Sequence, residues 1–218
     1  MEISEIVSMM WSGTGETLLM VLASTIIGYI IGMPVGVLLT TSDKDGISPH
    51  PLLYKVLDLI INITRSVPFL ILLILIQPFT KLVVGKSYGT VATVVPLTVA
   101  AAPLIARMVE SSLKEVDGGV VEAAISLGAS KFTIVTKVLI AEARTSLLVG
   151  ATIALGTILG YSAMAGVVGG GGLGDIAIRY GYYRYETGIM IITVVVLVLL
   201  MQILQWIGTF LSKKFDRR

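Results

Sequence analysis

TLLMVLASTIIGYIIGMPVGVLLT, Thr17 to Thr40, contains no charged side chain. At a rise of 1.5 Å per residue such a run reaches about 36 Å, enough to cross a hydrocarbon layer of roughly 30 Å as one helix. Four further stretches meet the same test. They are Leu52 (or Pro51) to Phe79, Thr90 to Val109, Thr145 to Val168 and Thr187 to Leu211. Composition agrees: 55% of the 218 residues are apolar, 14% are charged and mean hydropathy is +0.93, whereas about a quarter of an ordinary soluble domain is charged. The expected fold is all-α, a polytopic membrane protein of five transmembrane helices in a single domain, 1–218.

An odd number of spans puts the termini on opposite sides, and basic residues collect in cytoplasmic segments. With the C-terminus inside, twelve of the sixteen basic residues fall inside: Lys44, Lys55, Arg65, Arg107, Lys114, Lys131, Lys137, Arg144, Lys213, Lys214, Arg217 and Arg218. Lys81, Lys86, Arg179 and Arg184 fall outside. The expected orientation is N-terminus out, C-terminus in. MEISEIVSMMWSG carries Glu2 and Glu5 and no basic residue before Lys44, so no secretory signal is expected.

The largest cytoplasmic loop is then 110–144, which holds EAAISLGAS, Glu122 to Ser130. Its pattern predicts a helix from Val116 to Leu127, a stop at Gly128 and a new start with Ser130 as N-cap, since glycine tolerates the left-handed position and serine accepts an orphan N–H bond. Lys55, Asp58, Asn62 and Arg65 share one helical stripe of the second span. Their spacing favours a polar face turned to water over a lining of a translocation path. Pro68 is expected to kink that span. Arg65, Arg107 and Glu110 lie near cytoplasmic ends, where long side chains can snorkel. Gly28, Gly32 and Gly36, like Gly156 and Gly160, form ridges for close helix contact. Packing within the chain is the favoured reading for at least one set, with a dimer seam as the alternative.

Several chemistries are excluded. Gly169, Gly171 and Gly174 spell G-x-G-x-x-G, but after a membrane span instead of a strand, so a tight or flexible external loop is expected and no dinucleotide site. Ser162 has no histidine base within the membrane, because His50 is the only histidine and lies in a proline-flanked loop. There is no cysteine, and no metal cluster is expected. A net charge of +2 gives no reason to expect nucleic acid. The spans lack the chain of acidic residues a proton-coupled carrier would need, so energy is expected from another subunit.

Glu122, Ala123, Ala124 and Gly128, followed by Val138 to Ala141, resemble the E-A-A-x3-G-x9-I-x-L-P motif of ABC-importer permeases. TRSVPF (64–69), VPLTVAAAPLIARMVE (95–110) and GYSAMAGVVGGGGLG (160–174) are similar to the permeases of methionine importers, and the resemblance runs from Glu16 onward. It implies the type I ABC importer permease fold in a bacterial cytoplasmic membrane. It also implies a homodimer, two copies of a separate ATPase that bind ATP and magnesium, and an extracytoplasmic methionine-binding lipoprotein receptor. This chain would then be a transport subunit with no cofactor and no enzymatic activity of its own. Glu122, Ala123, Ala124, Ser126, Leu127 and Gly128 would form the ATPase-coupling helix, with Glu122 near its start pairing with a basic group or complementing the dipole. Ala141 stands where the motif has proline, which implies a straighter helix into the fourth span than in relatives. Tyr161, Ser162 and Met164 interrupt the aliphatic run of that span and are the candidate gate. Met164 either plugs a narrow dimer axis or is ordinary packing. The substrate is expected to be methionine, with another small amino acid or a short peptide as the alternative.

Overall fold

In the computed structural model, which describes residues 2–215, the first apolar run belongs to a helix far longer than the run itself. Helix α1, Ile3–Ser42, has 40 residues and reaches about 60 Å. Near its start the Glu5 carboxylate accepts from the backbone N–H of Glu2 at 3.1 Å, satisfying one donor that the first turn leaves free.

The second expected span is not one kinked helix. It is α2, Pro51–Ser66, α3, Phe69–Leu75, and α4, Gln77–Val84, with α2 and α3 bent by 100° across the break. Proline pushes the residue before it out of the helical region. Val67 is accordingly extended (φ −79°, ψ 124°), and Pro68 becomes the N-cap of α3. The proline therefore ends one helix and starts another.

The third span, α5, is Thr90–Lys114, and α6 is Gly118–Ser126. A helical stretch at 131–142, α7, combines Lys131–Thr133, a π-helical Ile134–Leu139 and Ile140–Glu142. Ala143 (φ −78°, ψ 0°) separates it from α8, Arg144–Ala165, so the chain is interrupted just after Ala141 although no proline stands there. A 3-10 turn, Gly166–Val168, leads to α9, Gly172–Ile176, which continues as a π-helical Ala177–Tyr182. The last helix, α10, is Thr187–Phe215. Arg217 and Arg218 lie outside the described residues.

Helix α5 is the axis of the bundle, with Leu97, Ala101 and Ile105 fully buried. The glycine ridge of α1 lies against it. A Cβ at Gly32 would stand 2.5 Å from the Ala102 carbonyl oxygen, and one at Gly36 would stand 2.6 Å from that of Ala106. Two backbones thus meet with no side chain between them, the packing that small residues permit in lipid. Gly156 faces Met201 of α10, whereas Gly160 faces open space. The first ridge and Gly156 therefore serve packing within the chain, and Gly160 does not.

Among the described residues four helices are long and apolar enough to cross a membrane, or five where the bent pair α2 and α3 counts as one span. Ile191, Val195, Val198, Ile203 and Trp206 of α10 are exposed, as expected where the surrounding solvent is hydrocarbon.

Candidate functional site

Helix α6 lies at the end of the bundle where α5 finishes, with one side against the π-helical part of α7. The Asp117 side chain caps it by accepting from the N–H of Gly119 at 2.7 Å, so the N-terminal role expected of Glu122 falls to Asp117, five residues earlier. Its other end closes as a Schellman motif. Gly128 (φ +77°) donates its N–H to Ile125 O at 2.9 Å, and Ala129 donates to Ala124 O at 3.1 Å. Ser130 caps the next helix by accepting from Thr133 N–H at 3.2 Å. The stop and restart thus lie where the sequence predicts, with the helix itself beginning two residues later.

No residue of α6 is buried. Glu122, Ala123, Ser126, Leu127 and Gly128 face outward, while Ala124 is half-buried and turned with Val121 toward the bundle. The Ser126 hydroxyl donates back to Glu122 O at 2.9 Å, which leaves that side chain folded along the helix. Ile125 is also exposed, Leu127 is 88% exposed and Phe132 is 77% exposed. These large apolar side chains are held in the open on a capped helix and its turn. Ile125 and Phe132 were not singled out by the sequence, although an aromatic residue directly after Ser130-Lys131 in a water-facing loop was the available sign. A cavity of about 800 Å³ opens beside α6, bounded by Glu115, Asp117, Glu142 and Arg144.

Close to this end, charges expected to face water or snorkel are paired inside the chain. Glu110 is 3% exposed. Its carboxylate accepts from Arg107 Nη1 at 2.6 Å, Lys114 Nζ at 2.9 Å and the Tyr54 hydroxyl at 3.3 Å. Arg107 also donates to Asp58 at 2.6 Å and to Asn62 Oδ1 at 3.0 Å, and Lys114 reaches Asp43 at 2.6 Å. Asp58 and Asn62 are therefore turned toward α5. The reason is energetic: a buried carboxylate is tolerated only when paired and fully hydrogen-bonded. The hydrogen bond from Lys114 holds the Asp43 carboxyl below the ordinary carboxylate range. Lys55 and Arg65, from the same stripe, join no ion pair among the described residues.

The three candidate gate residues separate. Tyr161 stacks on Phe69 with ring centroids 4.5 Å apart and planes 5° from parallel, beside a cavity of about 120 Å³ that also meets Thr64, Arg65, Ala100 and Leu104. Ser162 is 1% exposed, and its hydroxyl donates to Leu159 O at 2.8 Å; it faces the core. Met164 is 51% exposed, on the same face of α8 as Ile153 and Gly160.

The glycine-rich segment is tightly turned. Gly169, Gly171 and Gly172 all have positive φ, and a Cβ at Gly174 would stand 2.3 Å from Ala163 O. Glu16 holds the turn from 156 residues away, accepting from Gly172 N–H at 2.6 Å, while Thr17 Oγ1 accepts from Leu173 N–H at 2.9 Å. Asp175 pairs with Arg179, and burial raises its carboxyl above the usual range.

This arrangement has close counterparts. Residues 28–217 match the family described as binding-protein-dependent transport system inner membrane component. The probable D-methionine transport system permease protein MetI of Vibrio cholerae is 50% identical over 207 residues, covering 95% of this chain and 92% of that protein. The D-methionine transport system permease protein MetI of Escherichia coli is 49% identical over 161 residues, 72% of this chain and 74% of that one. A solved chain from the inward-facing MetNI methionine ABC transporter superposes over 100% of both chains with a TM-score of 0.97 at 44% identity. A chain of an amino acid ABC transporter crystallised with histidines shares the fold, with a TM-score of 0.75 at 21% identity.

Proposed function

Because this chain belongs to the family of binding-protein-dependent transport system inner membrane components, we propose that it is the permease subunit of an ATP-driven ABC importer for methionine. The observation that carries the reading is α6. It is a capped helix of nine residues with none buried, and it presents Ile125 and Leu127 with Phe132 beside them, a surface suited to seat in a partner protein. The partner is a separate ATPase, two copies to a permease dimer, which binds ATP and magnesium and supplies the energy. This chain performs no bond chemistry. Binding of ATP draws the two α6 helices together, and the dimer alternates between openings to the two sides of the membrane.

The end bearing α6, Lys44, Lys114, Lys131 and Lys137 faces the cytoplasm, in keeping with the bias of basic residues. The glycine turn and the first residues of α1 face outward, toward a methionine-binding lipoprotein receptor. The membrane is a bacterial cytoplasmic membrane. The exposed stripe of Ile153, Gly160 and Met164 supports a second copy of the chain meeting the first along α8, with Met164 and Tyr161 beside the path.

Methionine as substrate rests on the relatives and on the overall match to the methionine transporter chain. Uptake of labelled methionine into proteoliposomes holding the permease, ATPase and receptor tests it. Uptake competed by unlabelled methionine is expected. Competition only by another amino acid or a short peptide would replace the substrate. For the coupling surface, Leu127→Asp with Phe132→Asp should leave the permease inserted but without bound ATPase, and a stoichiometric complex from that variant would refute the assignment.

A further inference from the structure

Arg65 is the one stripe residue that lies both beside a cavity and outside every ion pair among the described residues. It sits in the last turn of α2, at the break before Pro68. The other wall of the cavity is Ala100 and Leu104, on the middle turns of α5. Arg65 is exposed, and a guanidinium beside the middle turns of a membrane-crossing helix normally has a partner. Arg107, on α5 one turn beyond Leu104, shows how this chain treats a cation that serves structure: it receives Asp58, Asn62 and Glu110. Arg65 receives none of these.

We propose that Arg65 is a transit site for the substrate, its guanidinium taking the α-carboxylate of the amino acid while the stacked Phe69 and Tyr161 rings bound the side chain. This inference rests on the importer reading. The planar fork of arginine matches a carboxylate in two parallel hydrogen bonds, which lysine cannot reproduce. A thioether is polarisable and packs favourably against aromatic rings. The geometry supplies both halves: the cation and the ring pair line one cavity, and the break at Val67–Pro68 sets Arg65 on one helix and Phe69 on the next. Interrupted helices are where transporters place substrate groups within the membrane.

The test is methionine uptake by the complete reconstituted transporter at saturating receptor, comparing the unsubstituted chain, Arg65→Gln and Arg65→Lys. The receptor is the same in each, so any difference arises in the permease. Arg65→Gln should lower uptake about tenfold or more, the scale of one charge-assisted hydrogen bond, and raise the ATP consumed per methionine delivered. Arg65→Lys should recover part of the uptake. Tyr161→Ala should lower uptake while Tyr161→Phe, which keeps the ring, should not. Uptake by Arg65→Gln equal to that of the unsubstituted chain overturns the proposal. So does equal loss in both Arg65 variants together with loss of the co-purified ATPase, which would make the residue structural. If the unsubstituted transporter carries a different amino acid, the substrate reading fails, and the same comparison run with that amino acid still decides the role of Arg65.

Discussion

Lys114 and Asp43 meet at 2.6 Å, joining the last residue of α5 to the first residue after α1. The pair closes the chain of contacts that begins at Asp58 and passes through Arg107 and Glu110. Three helices are thereby locked together at the end of the bundle where α5 gives way to α6.

That lock depends on pH. The Asp43 carboxyl titrates lower in the folded chain than in the unfolded one, so its contribution to stability is fully present above the unfolded value, near 4, and is lost as pH falls through the folded value. Thermal unfolding in detergent should show Asp43→Asn less stable than the unsubstituted protein at pH 7. The gap should close below about pH 4, and a constant gap across that range would argue against the pairing.

Gly32 admits no side chain. Because a Cβ there would lie 2.5 Å from the Ala102 carbonyl oxygen, Gly32→Leu should force α1 from α5 and cost about 1–3 kcal/mol or more. Gly15, whose added Cβ would meet nothing within 4 Å, is the control. Gly15→Ala should leave the melting temperature of the purified permease almost unchanged while Gly32→Leu lowers it.

Gly128 is constrained differently: its backbone is left-handed, and an added Cβ would meet nothing within 4 Å. The cost of a substitution is therefore conformational, about 1–2 kcal/mol for an ordinary residue. Gly128→Asn should bind the ATPase nearly as well as the unsubstituted chain, and Gly128→Val should bind it less tightly. Titration of the two variants with the purified ATPase measures this directly, and equal affinities would show that the turn is not needed for docking.

Met164 provides the test of the dimer. The chain contains no cysteine, so Met164→Cys introduces a single thiol on the exposed face of α8. Oxidation in membranes should give a covalent dimer, whereas Ser162→Cys, on the buried side, should give none. Failure of Met164→Cys to cross-link would place the contact between copies elsewhere.

What was legible in the sequence is what local chemistry decides. The apolar runs mark the spans because a helix must satisfy its own backbone in lipid, and Gly128 and Ser130 announce a stop and a start through their own conformational preferences. Pro68 was legible only in part, because a proline that bends a helix and one that separates two helices look alike in one dimension. Glu16 and Gly172 stand 156 residues apart, and no local pattern connects a carboxylate to the N–H it will cap. Asp58 and Arg107 were unreadable as partners for the same reason. Their charges were visible, but the choice between water and each other is made by the packing of α2 on α5.

The contact of α1 with α5 constrains how the molecule can move. Helices separated by side chains can shear, since rotamers yield before backbones do. Gly32 and Gly36 remove that compliance, because there the backbone of α1 bears directly on the backbone of α5. The two helices are thereby tied into a single strut, and the breaks in helical continuity lie elsewhere, at Val67–Pro68 and at Ala143.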